Sequence, residues 1–109
     1  MGKPMAKAAV INAELDALAA DAAAHPERWG AGVRLNITCA RRLPYEAVQL
    51  AEARGFAEAR GVGRHHLIFE YEDVVPDAAW VAATARPVLD FIAEVGGSDP
   101  QIGVDRNVQ

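Results

Sequence analysis

The chain reads as an α+β fold of the ferredoxin-like, split β-α-β type, βαββαβ, with an extra helix at the N-terminus. Two segments predict the sheet, because residues 33–40 and 65–75 alternate apolar and polar side chains with period two. Stretches of helical period stand before, between and after them. The resulting order is helix, then strand-helix-strand-strand-helix-strand. It closes into a four-stranded antiparallel sheet with both crossover helices on one face. At 109 residues, 51% hydrophobic and 24% charged, one domain spanning 1–109 is expected, with 1–4 and 106–109 frayed. The other arrangement compatible with the pattern is a looser α+β sandwich, in which Phe56 to Arg60 joins the second helix or a loop.

Each element has its own signal. Residues 5–24 place Ile11, Leu15, Leu18 and Ala22 on one helical face, and His25-Pro26 ends that helix, since proline forces its predecessor out of the helical region. Trp29 sits in a connector closed by Gly30 and Gly32 and is expected to fold back on the core. Val33, Leu35, Ile37 and Cys39 then alternate with Arg34, Asn36, Thr38 and Ala40. Pro44 suits the first turn of a second helix that runs to about Arg54, with Ala47, Val48, Leu50 and Ala51 for packing. Gly55-Phe56 reads as a glycine C-cap with its hydrophobic contact, Phe56 to Arg60 as a short edge strand, and Gly61-Val62-Gly63 as a turn.

In the second strong strand, His65 to Val75, Leu67, Phe69 and Tyr71 take one face and His66, Ile68, Glu70 and Glu72 the other. Pro76-Asp77 opens a third helix to about Val95, with Trp80, Thr84, Val88, Phe91 and Val95 at helical spacing. Pro87 inside it removes a hydrogen bond and should kink it. Gly96-Gly97 closes the helix, and Ile102 with Val104 predict a last short strand.

Composition excludes several functions. The net charge is −4, and both lysines lie in the first seven residues. Of the arginines only Arg41-Arg42 are adjacent, a poor basis for holding nucleic acid by phosphate neutralisation. A membrane span needs about 20 mainly apolar residues, and each long apolar window here carries charges. Glu14 and Asp16 interrupt anything resembling a signal peptide, so a cytoplasmic protein is expected. Cys39 is the only cysteine and reads as a buried small hydrophobe. No nucleotide-binding loop or serine elbow occurs, no metal or cofactor is expected, and no catalytic residue is assigned.

Two constellations remain. His65 and His66 are adjacent on a strand, point to opposite faces and cannot share a metal. His66 lies on the polar face near Asn36 or Thr38, where it serves as an acid-base group or is simply solvated. Glu70, Glu72, Asp73 and Asp77 form an acidic patch, read as a docking site for a basic partner with Tyr71 or Trp80 as anchor. A solvated strand edge is the plain alternative. The open sheet face would show Arg34, Asn36, Thr38, His66, Ile68 and Glu70. With no aromatic ring on it, RNA recognition by stacking is disfavoured. Burial of that face against a second copy, centred on Ile68, would make the protein a homodimer.

The segment from Val75-Pro76-Asp77 through Ile92-Ala93-Glu94-Val95-Gly96-Gly97-Ser98-Asp99 resembles the C-terminal half of the RraB family of ribonuclease E regulators. Gly55-Phe56 also falls where that family has a glycine and an aromatic, and the likeness covers about residues 33–105. Where the family continues with an acidic-glycine-tryptophan run, this chain has Pro100-Gln101-Ile102-Gly103. The resemblance implies a cytoplasmic, non-enzymatic protein that binds ribonuclease E, and it carries over no catalytic residue.

The expected function is therefore that of a small non-catalytic regulator or inhibitor. It would act by protein–protein contact, with a nucleic-acid-processing enzyme such as a ribonuclease as partner. A phage- or plasmid-encoded inhibitor of a host nuclease would look the same. The contrasting expectation is a small dimeric α+β-barrel enzyme or ligand-binding protein using His66 or His65, with Arg34 as an anion clamp.

Overall fold

The alternating segments do become a sheet. The structure, a computed structural model, describes residues 3–40, 43–59, 66–95 and 100–106. Arg41-Arg42, the Gly61-Val62-Gly63 turn, His65, and the Gly96-Gly97 helix stop with Ser98 and Asp99 lie outside those residues. Among the described residues there are four strands: β1 (Arg34–Ala40), β2 (Ala57–Ala59), β3 (His66–Glu72) and β4 (Gln101–Asp105). They pair in the order β2-β3-β1-β4, every neighbour antiparallel. The helices are α1 (Lys3–Ala24), α2 (Tyr45–Ala53) and α3 (78–95), making an α+β protein with a four-stranded antiparallel sheet.

The register puts Leu35, Ile37 and Cys39 beside Tyr71, Phe69 and Leu67, and Leu35 and Ile37 beside Val104 and Ile102 on the other side. This is the face the helices cover. Leu35, Ile37 and Phe69 are fully buried there with Leu15 of α1, Ala51 of α2, and Val88, Leu89 and Ile92 of α3 in one core. Ile11, Leu15 and Ala22 of α1 are buried and Leu18 is half-buried, as their spacing predicts. Arg86 of α3 ties the two helices at the surface by donating to Asn12 Oδ1 and approaching Asp16 within 3.7 Å.

Trp29 does fold back, and Asp21 holds it: Oδ2 accepts from Trp29 Nε1 at 2.8 Å while Oδ1 accepts from Arg28 Nη1 at 3.1 Å. Arg106 stacks over the same indole, 4.4 Å from its centroid, and donates to the Arg28 carbonyl. The glycine cap at Gly55 also forms. Its φ is +99°, Phe56 N–H reaches the Ala51 carbonyl at 3.0 Å and Gly55 N–H the Glu52 carbonyl at 3.0 Å.

Several boundaries differ from the sequence expectation. Pro44 precedes α2 at its N-cap position instead of lying in the first turn. Within the described residues the edge strand is Ala57–Ala59: Phe56 is left out because it turns into the core as the cap's hydrophobic contact, and Arg60 lies outside those residues. The strand expected to reach Val75 stops at Glu72, where Asp73 takes a left-handed φ of 54°. Val74 then pairs with the connector before β1, donating to the Val33 carbonyl at 3.1 Å and accepting from Gly30 N–H at 2.9 Å.

Helix α3 changes form where a proline kink was expected. It is α-helical over Ala78–Trp80, a π-helix over Val81–Ala85, and α-helical again over Arg86–Val95. Pro87 has no N–H for the carbonyl four residues before it, Ala83, and that carbonyl instead accepts from Arg54 Nη1 at 3.0 Å. The π turn uses an extra residue, so the face before it rotates relative to the face after it. Val81, Ala85, Val88, Leu89 and Ile92 are buried, whereas Trp80, Thr84 and Phe91 of the expected stripe are half-buried and Val95 is exposed.

Candidate functional site

The sheet face turned away from the core collects the other half of each alternation. From β1 it carries Arg34, Asn36 and Thr38, and from β3 His66, Ile68, Glu70 and Glu72. Strand β4 adds Gln101, Gly103 and Asp105, and β2 adds Ala57 and Ala59. The open-face set expected from sequence is thus on one surface. Gln101, Gly103 and Asp105 are additions, since the signal of the last strand rests on its apolar Ile102 and Val104. Gly103 lies between those two, and extending the alternation by one residue each way adds Gln101 and Asp105.

Charge on this face converges on one guanidinium. Glu72 and Asp105 are the direct cross-strand neighbours of Arg34. Arg34 Nη1 donates to Glu70 Oε2 at 2.9 Å, each side chain 24% exposed. Asn36 Nδ2 donates to Asp105 Oδ2 at 2.8 Å. Glu70 is thus ion-paired with Arg34, while Glu72 and Asp105 stand opposite it on the two neighbouring strands, so carboxylates outnumber the cation among these described residues. Two shielded polar atoms there, Arg34 Nε and Asn36 Oδ1, have no partner among the described residues.

The expected acidic patch is distributed over several places. Glu70 and Glu72 lie on the face just described, with Glu72 exposed. Asp73 closes the end of β3, its Oδ1 accepting from Gly32 N–H at 3.0 Å. Asp77 caps α3, its Oδ1 accepting from Trp80 N–H at 2.8 Å. Tyr71 points to the helix side, opposite to Glu70 and Glu72. There it packs edge-on against Phe56 and Trp80, with centroid separations of 5.3 and 5.1 Å.

His66 is exposed at one end of β3, opposite Ala40, and on the same face stands diagonal to Thr38, which pairs with Ile68, while Asn36 lies further along β1. The Cys39 thiol is buried beside the Leu67 carbonyl, and burial pushes its pKa up to about 11. Among the described residues no three His, Cys, Asp or Glu side chains are grouped to hold a metal ion. No described helix is long and apolar enough to cross a membrane.

A concavity of about 370 Å³ lies between α1 and β4. Apolar Leu18, Trp29, Ile102 and Val104 line it together with charged Glu14, Asp21, Arg28 and Arg106. Its residues come from the first helix, the connector after it and the last strand, which no local sequence pattern brings together. No family model, curated protein or solved structure matches the chain.

Proposed function

We propose that this chain is a small cytoplasmic, non-catalytic regulator that docks its acidic sheet face against a basic surface of another protein. The partner class is a nucleic-acid-processing enzyme such as a ribonuclease, whose substrate-binding surface is basic by necessity. The observation that carries the reading is the gathering of Glu70, Glu72 and Asp105 on the strands at and beside Arg34, with Glu70 alone ion-paired to it. Such a face repels nucleic acid and attracts a cationic protein surface, speeding encounter and fixing orientation. The order of elements and strands supports placing the fold with the ferredoxin-like proteins. The resemblance to RraB points to the same class of partner.

Inhibition in this reading is occlusion: the acidic face covers the surface on which the enzyme would lay its nucleic acid. Asp73 and Asp77 already serve a turn and a helix cap, so Glu72, exposed and beside Arg34, is the cleanest position to probe. The test is capture from nuclease-treated host lysate at low salt with the tagged protein. One basic nucleic-acid-processing protein, recovered in stoichiometric amount by the wild type and lost with Glu72→Lys, is the expected result. Equal recovery by both proteins would overturn the reading.

A further inference from the structure

We propose that β4 is the interface of a two-fold homodimer, in which two copies join edge to edge through Gln101–Asp105 with Gly103 on the axis. Four strands in the order β2-β3-β1-β4 leave two outer edges. The β2 edge, Ala57–Ala59 within the described residues, carries a charged residue, Glu58, at its centre, and charge on an edge opposes the approach of another strand. The β4 edge is five residues long and has no proline, lysine or bulge to blunt it. An outer strand of that kind presents a row of backbone N–H and C=O groups that another strand can satisfy.

The sequence of β4 selects that other strand. Gln101-Ile102-Gly103-Val104-Asp105 is polar, apolar, glycine, apolar, polar, a pattern that reads the same in both directions. An antiparallel copy centred on Gly103 sets Ile102 against the partner's Val104 on the helix side. On the exposed side it sets Gln101 against the partner's Asp105, an amide facing a carboxylate. The two Asp105 side chains then stand at opposite ends of the ladder, about 13 Å apart along the strand direction. That exceeds the Debye length of about 8–10 Å, so their repulsion is screened.

Two further observations fit. Gly103 sits mid-strand, where glycine weakens pairing, yet its φ lies outside the left-handed range and an added Cβ would meet nothing within 4 Å. Nothing inside one copy calls for glycine at this place, and on a two-fold axis a charged side chain there would face its own like-charged duplicate. The groove between α1 and β4 includes residues of that same strand, and half-buried Leu18, Ile102 and Val104 are among its lining, with charged Glu14, Asp21, Arg28 and Arg106. A partner strand laid on β4 would send its own apolar side chains beneath α1, and symmetry repeats the contact.

The experiment is sedimentation equilibrium on the wild type and on Gly103→Lys and Gly103→Asp, alone and mixed. The open space at Gly103 lets both variants fold, which circular dichroism checks. The wild type is expected to be dimeric, and each variant alone monomeric because like charges oppose each other on the axis. An equimolar mixture should recover the dimer, since lysine then faces aspartate. A monomeric wild type, a dimer that survives both substitutions, or a mixture that stays monomeric would each overturn the proposal. Hydrogen exchange on the wild type is an independent check: amides of Gln101–Asp105 should gain protection as protein concentration rises, and protection independent of concentration would contradict the interface. These readouts need no partner protein, so they stand or fall apart from the regulatory reading.

Discussion

At the scale of the residue, two glycines make opposite predictions. Gly55 has φ +99°, and an added Cβ would lie 2.9 Å from Tyr71 Cε2. Gly55→Ala should therefore destabilise by about 1–2 kcal/mol from the left-handed backbone alone, with more from displacing the ring. Gly103→Ala, in open space with no left-handed φ, should be neutral or stabilise by about 0.5–1 kcal/mol. Urea unfolding of the two variants side by side checks the contrast. Asp21 serves both Trp29 Nε1 and Arg28, and Asp21→Ala leaves the indole N–H without its acceptor, for an expected loss of about 1–2 kcal/mol. Cys39 gives a pH dependence. Its folded pKa is raised from 9.0 to about 11, so the unfolded thiol ionises first as pH rises. Stability associated with this group is intact below pH 9 and is lost between 9 and about 11, by roughly 2–3 kcal/mol at the limit. Cys39→Ala should flatten that part of the stability–pH curve, and iodoacetamide should label the native wild type far more slowly than the unfolded chain.

At the scale of the element, the π segment of α3 depends on residues from two helical regions. Arg54, just past α2, occupies the Ala83 carbonyl that Pro87 cannot serve. Arg54→Ala should cost about 1 kcal/mol in the wild type and less in a Pro87→Ala background, where residue 87 regains an N–H. A double-mutant cycle by urea unfolding measures the difference, and no coupling would contradict the assignment. This helix also shows the limits of sequence periodicity. Trp80, Thr84, Val88, Phe91 and Val95 hold helical spacing, but so do Val81, Ala85, Val88 and Ile92, and it is the second set, with Leu89, that is buried, a choice that spacing alone does not make. The strands were far more legible. Period two does not drift over seven residues, so the inward and outward sets of β1 and β3 could be read directly. Where β3 stops was not readable, because the left-handed turn at Asp73 is held by Gly32, 41 residues earlier. The candidate site was half legible for the same reason. Alternation gave Arg34, Asn36 and Glu70, but Asp105 arrives through the pairing of the last strand with the first, which no local pattern reports.

At the scale of the whole molecule, burial is one-sided. The helices cover one face of the sheet, and the other concentrates carboxylates around Arg34 with two polar atoms unpartnered among the described residues. Edge-to-edge pairing through β4 would place two such faces on one continuous sheet, and two linked acidic faces would bind a basic surface with more avidity than either alone. Attraction of this kind is screened by salt, whereas an interface held by apolar contact is not. The most direct measurement is the affinity of the captured partner for wild type and Glu72→Lys across a salt series. The account predicts that wild-type binding weakens steadily as salt rises and that Glu72→Lys binds at least tenfold more weakly at low salt, with the two converging at high salt. Salt-independent binding, or equal affinity for the two proteins at low salt, would contradict it.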